Sequence, residues 1–195
     1  MTKQPILSLG LVVIVAVGCR TATAHFYTLD STAPADAGPP ASYAVAVGPV
    51  TVPPLVDRPQ FVVQVAPNRV ALDEFNRWGA PLDDGIARAV AGDLAVLLGT
   101  PRVASGPLAA NLGPAYRVAI DVQRFETVPG QMVLVDAVWA VQRPSRGDTR
   151  SGRTIAQETV AGSDFDALAA AHSRALATVS ADIAATIRAD ANGRR

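Results

Sequence analysis

The chain has 195 residues, 49% of them hydrophobic, with 17 basic residues balancing 17 acidic ones and a mean hydropathy of +0.24. That composition describes a folded domain with a real core and excludes a disordered chain. It also supplies no electrostatic reason to hold nucleic acid and no polybasic patch for an anionic membrane surface.

The amino terminus begins with a charged residue, Lys3, and an apolar run over 11–17, then Gly18 and Cys19, the only cysteine. This is the order of a secretory signal. A cysteine after a small residue at the end of such a run is the usual acceptor of a bacterial lipoprotein diacylglycerol. Residues 1–18 are therefore expected to be a lipoprotein signal peptide, with Cys19 as the lipidated residue. The competing reading is an ordinary secretory signal cleaved elsewhere. A membrane-spanning helix is disfavoured, because the run falls short of the ~20 residues such a helix needs. Lys3 is the only lysine, so 16 arginines face 17 acids beyond the signal. The acyl chains then do the membrane holding, and no thiol remains for a disulfide. Arg20, rather than an aspartate, after the lipidated position favours sorting to the outer membrane.

Residues 26–29 form a short β-prone segment, and the Pro-, Gly- and Ala-rich stretch over 31–42 reads as a loop or spacer. Residues 19–42 are thus expected to be a flexible, lipid-anchored segment with one short strand, and 43–190 the globular domain. Strands are predicted over 43–47 with 50–52, over 61–65, and, after a Pro67-Asn68 turn, over 70–72. The stretch from Asn76 to Ala80 leads into Pro81, which suits a helix start. Leu82, Ile86, Val90, Leu94 and Leu97 recur at helical spacing, with Asp83 and Asp84 in the first turn and Gly99 at the end.

Tyr116, Val118, Ile120 and Val122 alternate with polar or small residues, as do Val133, Val135, Ala137, Trp139 and Val141 beyond a Pro129-Gly130 turn. Residues 143–153 read as a polar loop, and 155–160 as a returning strand. Ser163 with Asp166 resembles a capping box opening one long amphipathic helix to about Ala189. From Asp190 onward the chain is expected to be dispensable, with 191–195 a disordered tail. The fold expected is α+β: a single two-layer domain, a mostly antiparallel or mixed sheet with two main helices on one face.

Catalytic chemistry is hard to place on these residues. His172 falls on the apolar stripe of the last helix and reads as a core or interface histidine; His25 lies in the stretch after the anchor. No His/Cys cluster has metal spacing, no serine sits in a Gly-x-Ser-x-Gly elbow, and no Gly-rich loop suits a phosphate. The pairs Asp73-Glu74 and Asp83-Asp84 are adjacent, so their side chains diverge and read as solvated surface. Arg146-Gly147-Asp148 is a chance tripeptide. The expectation is a non-enzymatic protein without cofactor or metal.

The segments FYTL at 26–29, VGPVTVPPLVDRPQFVVQV at 47–65, NRWGAPLDDGIARAVAGDLAVLLG at 76–99 and YRVAIDVQRFE at 116–126, with Trp139 and the terminal helix, follow a known order. On these the chain resembles the ABC-type transport auxiliary lipoproteins, the paraquat-inducible protein C-like family. Ala80 departs from the acidic residue expected before Pro81. The resemblance implies an outer-membrane lipoprotein on the periplasmic face that serves intermembrane lipid transport. Its implied partners are an MCE-domain periplasmic protein and inner-membrane transporter components, and it implies a homo-oligomeric ring. Asp57, Arg58, Arg77, Trp78 and Leu82 are the expected partner-binding residues. The alternative is a stand-alone envelope lipoprotein, acting as an assembly factor or a small lipid-binding carrier.

Overall fold

The computed structural model describes residues 23–36, 38–160 and 162–193. The signal region and Cys19 lie outside the described residues. Within them the order is β1 (His25–Tyr27), β2 (Val45–Thr51), β3 (Gln60–Ala66), β4 (Arg69–Trp78), α1 (Leu82–Leu98), β5 (Val103–Ser105) and α2 (Pro107–Asn111). Then follow β6 (Tyr116–Val128), β7 (Met132–Arg143), β8 (Asp148–Thr159) and α3 (Phe165–Asn192).

The strands form two mixed sheets, ordered β1-β4-β3 and β5-β2-β6-β7-β8. β6, β7 and β8 are an antiparallel meander, whereas β2 runs parallel to both β5 and β6, and β1 runs parallel to β4. Alternation of apolar and polar residues puts Tyr116, Val118, Ile120 and Val122 of β6 and Val133, Val135, Ala137, Trp139 and Val141 of β7 in the core. Helices α1 and α3 pack on each other and cover this face. The expected α+β two-layer domain is therefore the fold observed, with its strands divided between two sheets.

The α1 stripe is buried at every predicted position, and Gly99 closes the helix in the left-handed region at φ 62°, where a β-carbon would be strained. In α3 the cap is Asp164, whose carboxylate accepts the Ala167 N–H at 2.8 Å; Ser163 stands one residue outside.

Several expectations are corrected. The stretch 143–153 is two strands joined by a turn over 144–147: backbone pairing with β7 satisfies the polar segment as well as it would an apolar one. β5 and α2 were not anticipated. His25 pairs with Asn76 in β1. Arg77 and Trp78 end a strand of ten residues, so the loop before α1 is shorter than expected. α3 runs through Ala191 and Asn192, into the expected tail, and Asp190 is far from idle. Its carboxylate accepts from the Tyr116 hydroxyl at 2.9 Å and pairs with Arg143 and Arg150, each at 3.3 Å.

The irregular stretch before β2 is fastened to the domain rather than loosely spaced from it. Leu29 is buried. The Asp30 N–H donates to Ser173, the Ala41 N–H donates to the Leu98 carbonyl, and Arg188 donates to the Pro39 and Leu97 carbonyls.

Candidate functional site

β4 ends at Trp78, and four residues later α1 begins to bury Leu82. Against this corner lies the turn after β2, which Pro53 folds by accepting the N–H groups of Val56 and Asp57 at 3.0 and 3.2 Å. The Trp78 N–H donates to the Pro59 carbonyl at 2.7 Å and fixes the turn in place. A cavity of about 340 Å³ results, lined by Asp57, Arg58 and Pro59 on one side and by Trp78, Pro81 and Leu82 on the other.

Four of the five expected contact residues, separated by up to 25 positions, thus meet at one place. Their characters differ. Asp57 is exposed and Arg58 half-buried. The Arg58 Nε is buried with no hydrogen-bond partner among the described residues, an unusual state for a guanidinium donor. Leu82 and Trp78 are buried, and Trp78 is stacked on Phe61 with ring centroids 4.1 Å apart. They form the floor, so Trp78 also serves the core. Arg77, the fifth residue, is not among the lining residues. Its Nε donates to the Glu74 carbonyl at 2.7 Å, and its Nη2 lies 3.5 Å from the Glu74 carboxylate.

Beneath the floor, Phe61, Tyr27 and Phe165 pack edge or tilted against one another, and Trp78 meets Phe125 and His172. His172 is wholly buried, stacked on Phe125 at 3.9 Å, and shares a 2.8 Å hydrogen bond between its Nε2 and the Thr127 hydroxyl. Burial pushes its pKa down to about 3, so the imidazole is neutral at ordinary pH. The core placement expected of His172 is the one observed.

One polar centre escaped sequence reasoning. Asp93, on α1, is completely buried, and its carboxylate accepts from the Ser31 hydroxyl, the Thr32 and Ala33 N–H groups and the Ser180 hydroxyl at 2.8–3.0 Å. An aspartate one position before a stripe residue, Leu94, is the available signal. Its partners from residues 31–33 could not be foreseen from their spacing.

Among the described residues, no group of three or more His, Cys, Asp or Glu side chains could hold a metal ion, and no helix is long and apolar enough to cross a membrane.

The family model of the ABC-type transport auxiliary lipoprotein component matches residues 27–184. Among solved structures, protein XCC0632 from Xanthomonas campestris superposes with a TM-score of 0.71 at 20% identity, over 88% of this chain and 100% of that one. A crystal structure of an uncharacterized protein gives 0.70 at 21% identity, over 85% and 99%. A remoter match is the PelC dodecamer from Paraburkholderia phytofirmans, with a TM-score of 0.40 at 15% identity, over 76% and 93%. At that distance its assembly is a property of that protein alone. No curated protein matches the chain.

Proposed function

Because the chain belongs to the family of ABC-type transport auxiliary lipoprotein components, we propose that it is the outer-membrane member of an MCE-type lipid transport system. In this reading Cys19 carries the acyl anchor, and the cavity at Asp57, Arg58, Trp78 and Leu82 docks the periplasm-spanning MCE-domain partner without catalysing a reaction. The observation that carries it is the convergence of those four residues on one cavity, with Arg58 among its lining residues and the Arg58 Nε buried without a hydrogen-bond partner among the described residues. A half-buried guanidinium at such a cavity gains a charge-assisted hydrogen bond when a partner's carboxylate or carbonyl enters. The apolar floor of Trp78 and Leu82 supplies the desolvated centre that interface anchors use. A homo-oligomeric ring at the membrane belongs to the same proposal.

The test spares Trp78, whose removal would disturb the core. Asp57→Arg with Arg58→Glu reverses both rim charges. The double variant is expected to melt like the wild type, stay in the membrane fraction, and lose co-purification with the MCE-domain protein. A folded variant that retains the partner at wild-type yield rules out this cavity as the dock. Mass spectrometry of the mature N-terminal peptide tests the anchor separately.

A further inference from the structure

Five phenylalanines occur in the chain. Phe61, Phe125 and Phe165 pack in the aromatic cluster under the cavity. The other two are exposed on neighbouring strands of the small sheet: Phe26 is 66% exposed and Phe75 50% exposed. Phe26 lies on β1, the edge strand, in register with Arg77, and Phe75 is two residues before Arg77.

The position of Phe75 is built by hydrogen bonds. Asp73 pairs with Phe61 and Arg77 pairs with the preceding Gln60, so residues 74–76 bulge from the ladder. The Asp73 carboxylate accepts the N–H groups of Phe75 and Asn76 at 3.0 and 2.8 Å and the Asn76 side-chain amide at 3.0 Å. Tyr27, next to Phe26, donates its hydroxyl to Asn76 at 2.7 Å. The bulge is thus held from both strands, and it displays an aromatic ring to solvent at a site that the core does not need.

We propose that Phe26 and Phe75 form a membrane-contact patch that rests in the interfacial layer of the bilayer holding the acyl anchor. The inference rests on acylation at Cys19. Six residues separate Cys19 from Phe26, a reach of at most about 25 Å at full extension, so the anchor holds this edge close to the lipid surface. Phenylalanine on the apolar face of an interfacial element buries into the boundary between headgroups and acyl chains. The charges beside the rings are Arg77 and Glu74, which lie 3.5 Å apart, and Asp73, whose carboxylate is taken up by three N–H groups of the bulge. Two rings add apolar burial to the anchor and would fix how the domain stands on the membrane.

The experiment places single tryptophans at the patch, Phe26→Trp and Phe75→Trp, in the acylated full-length protein. Leu108→Trp is the control: Leu108 is 70% exposed on α2, at the edge of the other sheet. Each protein is reconstituted into phosphatidylethanolamine–phosphatidylglycerol vesicles with or without brominated acyl chains, and acylation is verified by mass. Added blue shift and bromine quenching at positions 26 and 75, and none at 108, are expected relative to the parent protein. Quenching no greater than at position 108 in acylated, vesicle-bound protein overturns the patch and leaves the anchor standing. A blue shift that appears without vesicles and grows with protein concentration assigns the face to a protein contact and also overturns it. An unmodified Cys19 removes both readings.

Discussion

Gly152 stands opposite Trp139 in the β7–β8 ladder, and the indole lies across the space that a side chain at Gly152 would fill. The ring is held there by its Nε1, which donates to the Thr154 hydroxyl at 3.0 Å; that hydroxyl in turn donates to Asp182 on α3 at 2.6 Å. A strand, its neighbour and a helix are joined through one aromatic side chain.

Gly152→Ala should therefore destabilise the fold by about 1–3 kcal/mol, the usual cost of overpacking. Guanidinium melts measure it. Adding Trp139→Leu should make the second change cost less than it does alone, because the two share one volume. Strict additivity would show that the overlap is relieved elsewhere.

Asp190→Ala should cost on the order of 2 kcal/mol, since it removes the acceptor of the Tyr116 hydroxyl bond and one carboxylate partner of the part-buried Arg143. Burial alone would raise the Asp190 carboxyl, but the bonds from Tyr116 and Arg150 and the charges of Arg143 and Arg150 hold it below the usual range. Truncation before Asp190 should lower the melting temperature in the same direction. An unchanged melt would restore the expectation that this end is dispensable.

His172 should make the protein acid-sensitive. Its folded pKa of about 3 lies below the ordinary value of 6.5, so between these values the unfolded chain takes up a proton that the folded state refuses. The group costs nothing above pH 6.5, and stability falls by about 1.4 kcal/mol per pH unit below it until about pH 3. Denaturant melts at pH 7 and pH 5 should show this loss in the wild type, and less of it in His172→Gln. Equal slopes in both would mean that other groups carry the acid response.

Asp93→Ala should release the segment at 31–33. It removes the acceptor of three bonds from that segment and one from Ser180 on α3, a loss on the order of 3 kcal/mol. Hydrogen exchange at Thr32 and Ala33 should rise far more than in the β6–β7 ladder. Uniform acceleration would mean that the segment opens only with the whole domain.

Legibility in the sequence followed periodicity. The stripes of α1 and α3 and the alternation of β6 and β7 could be read because each buries one face, and burial selects apolar residues at the period of the element. β8 began unread because its first residues are exposed on an outer strand, where backbone pairing alone makes the strand. β5 is three residues long and α2 five, too short for any period to register. The cavity was legible as a set of residues, through family resemblance, but not as a shape: Pro59 meets Trp78 only because the turn after β2 folds back on the end of β4. Asp93 and Asp190 were missed for a related reason, as both bind residues more than 35 positions away.

The parallel pairing of β1 with β4 has a mechanical consequence. Force applied to the chain ahead of His25, along the strand, reaches the domain through hydrogen bonds that lie across the direction of pull. Such bonds are loaded together in shear instead of being peeled one at a time. Tyr27 is in register with Trp78, so the stressed edge ends at the floor of the cavity. In the acylated, partner-bound protein proposed above, tension on the chain ahead of His25 and an occupant of the cavity would both bear on β4.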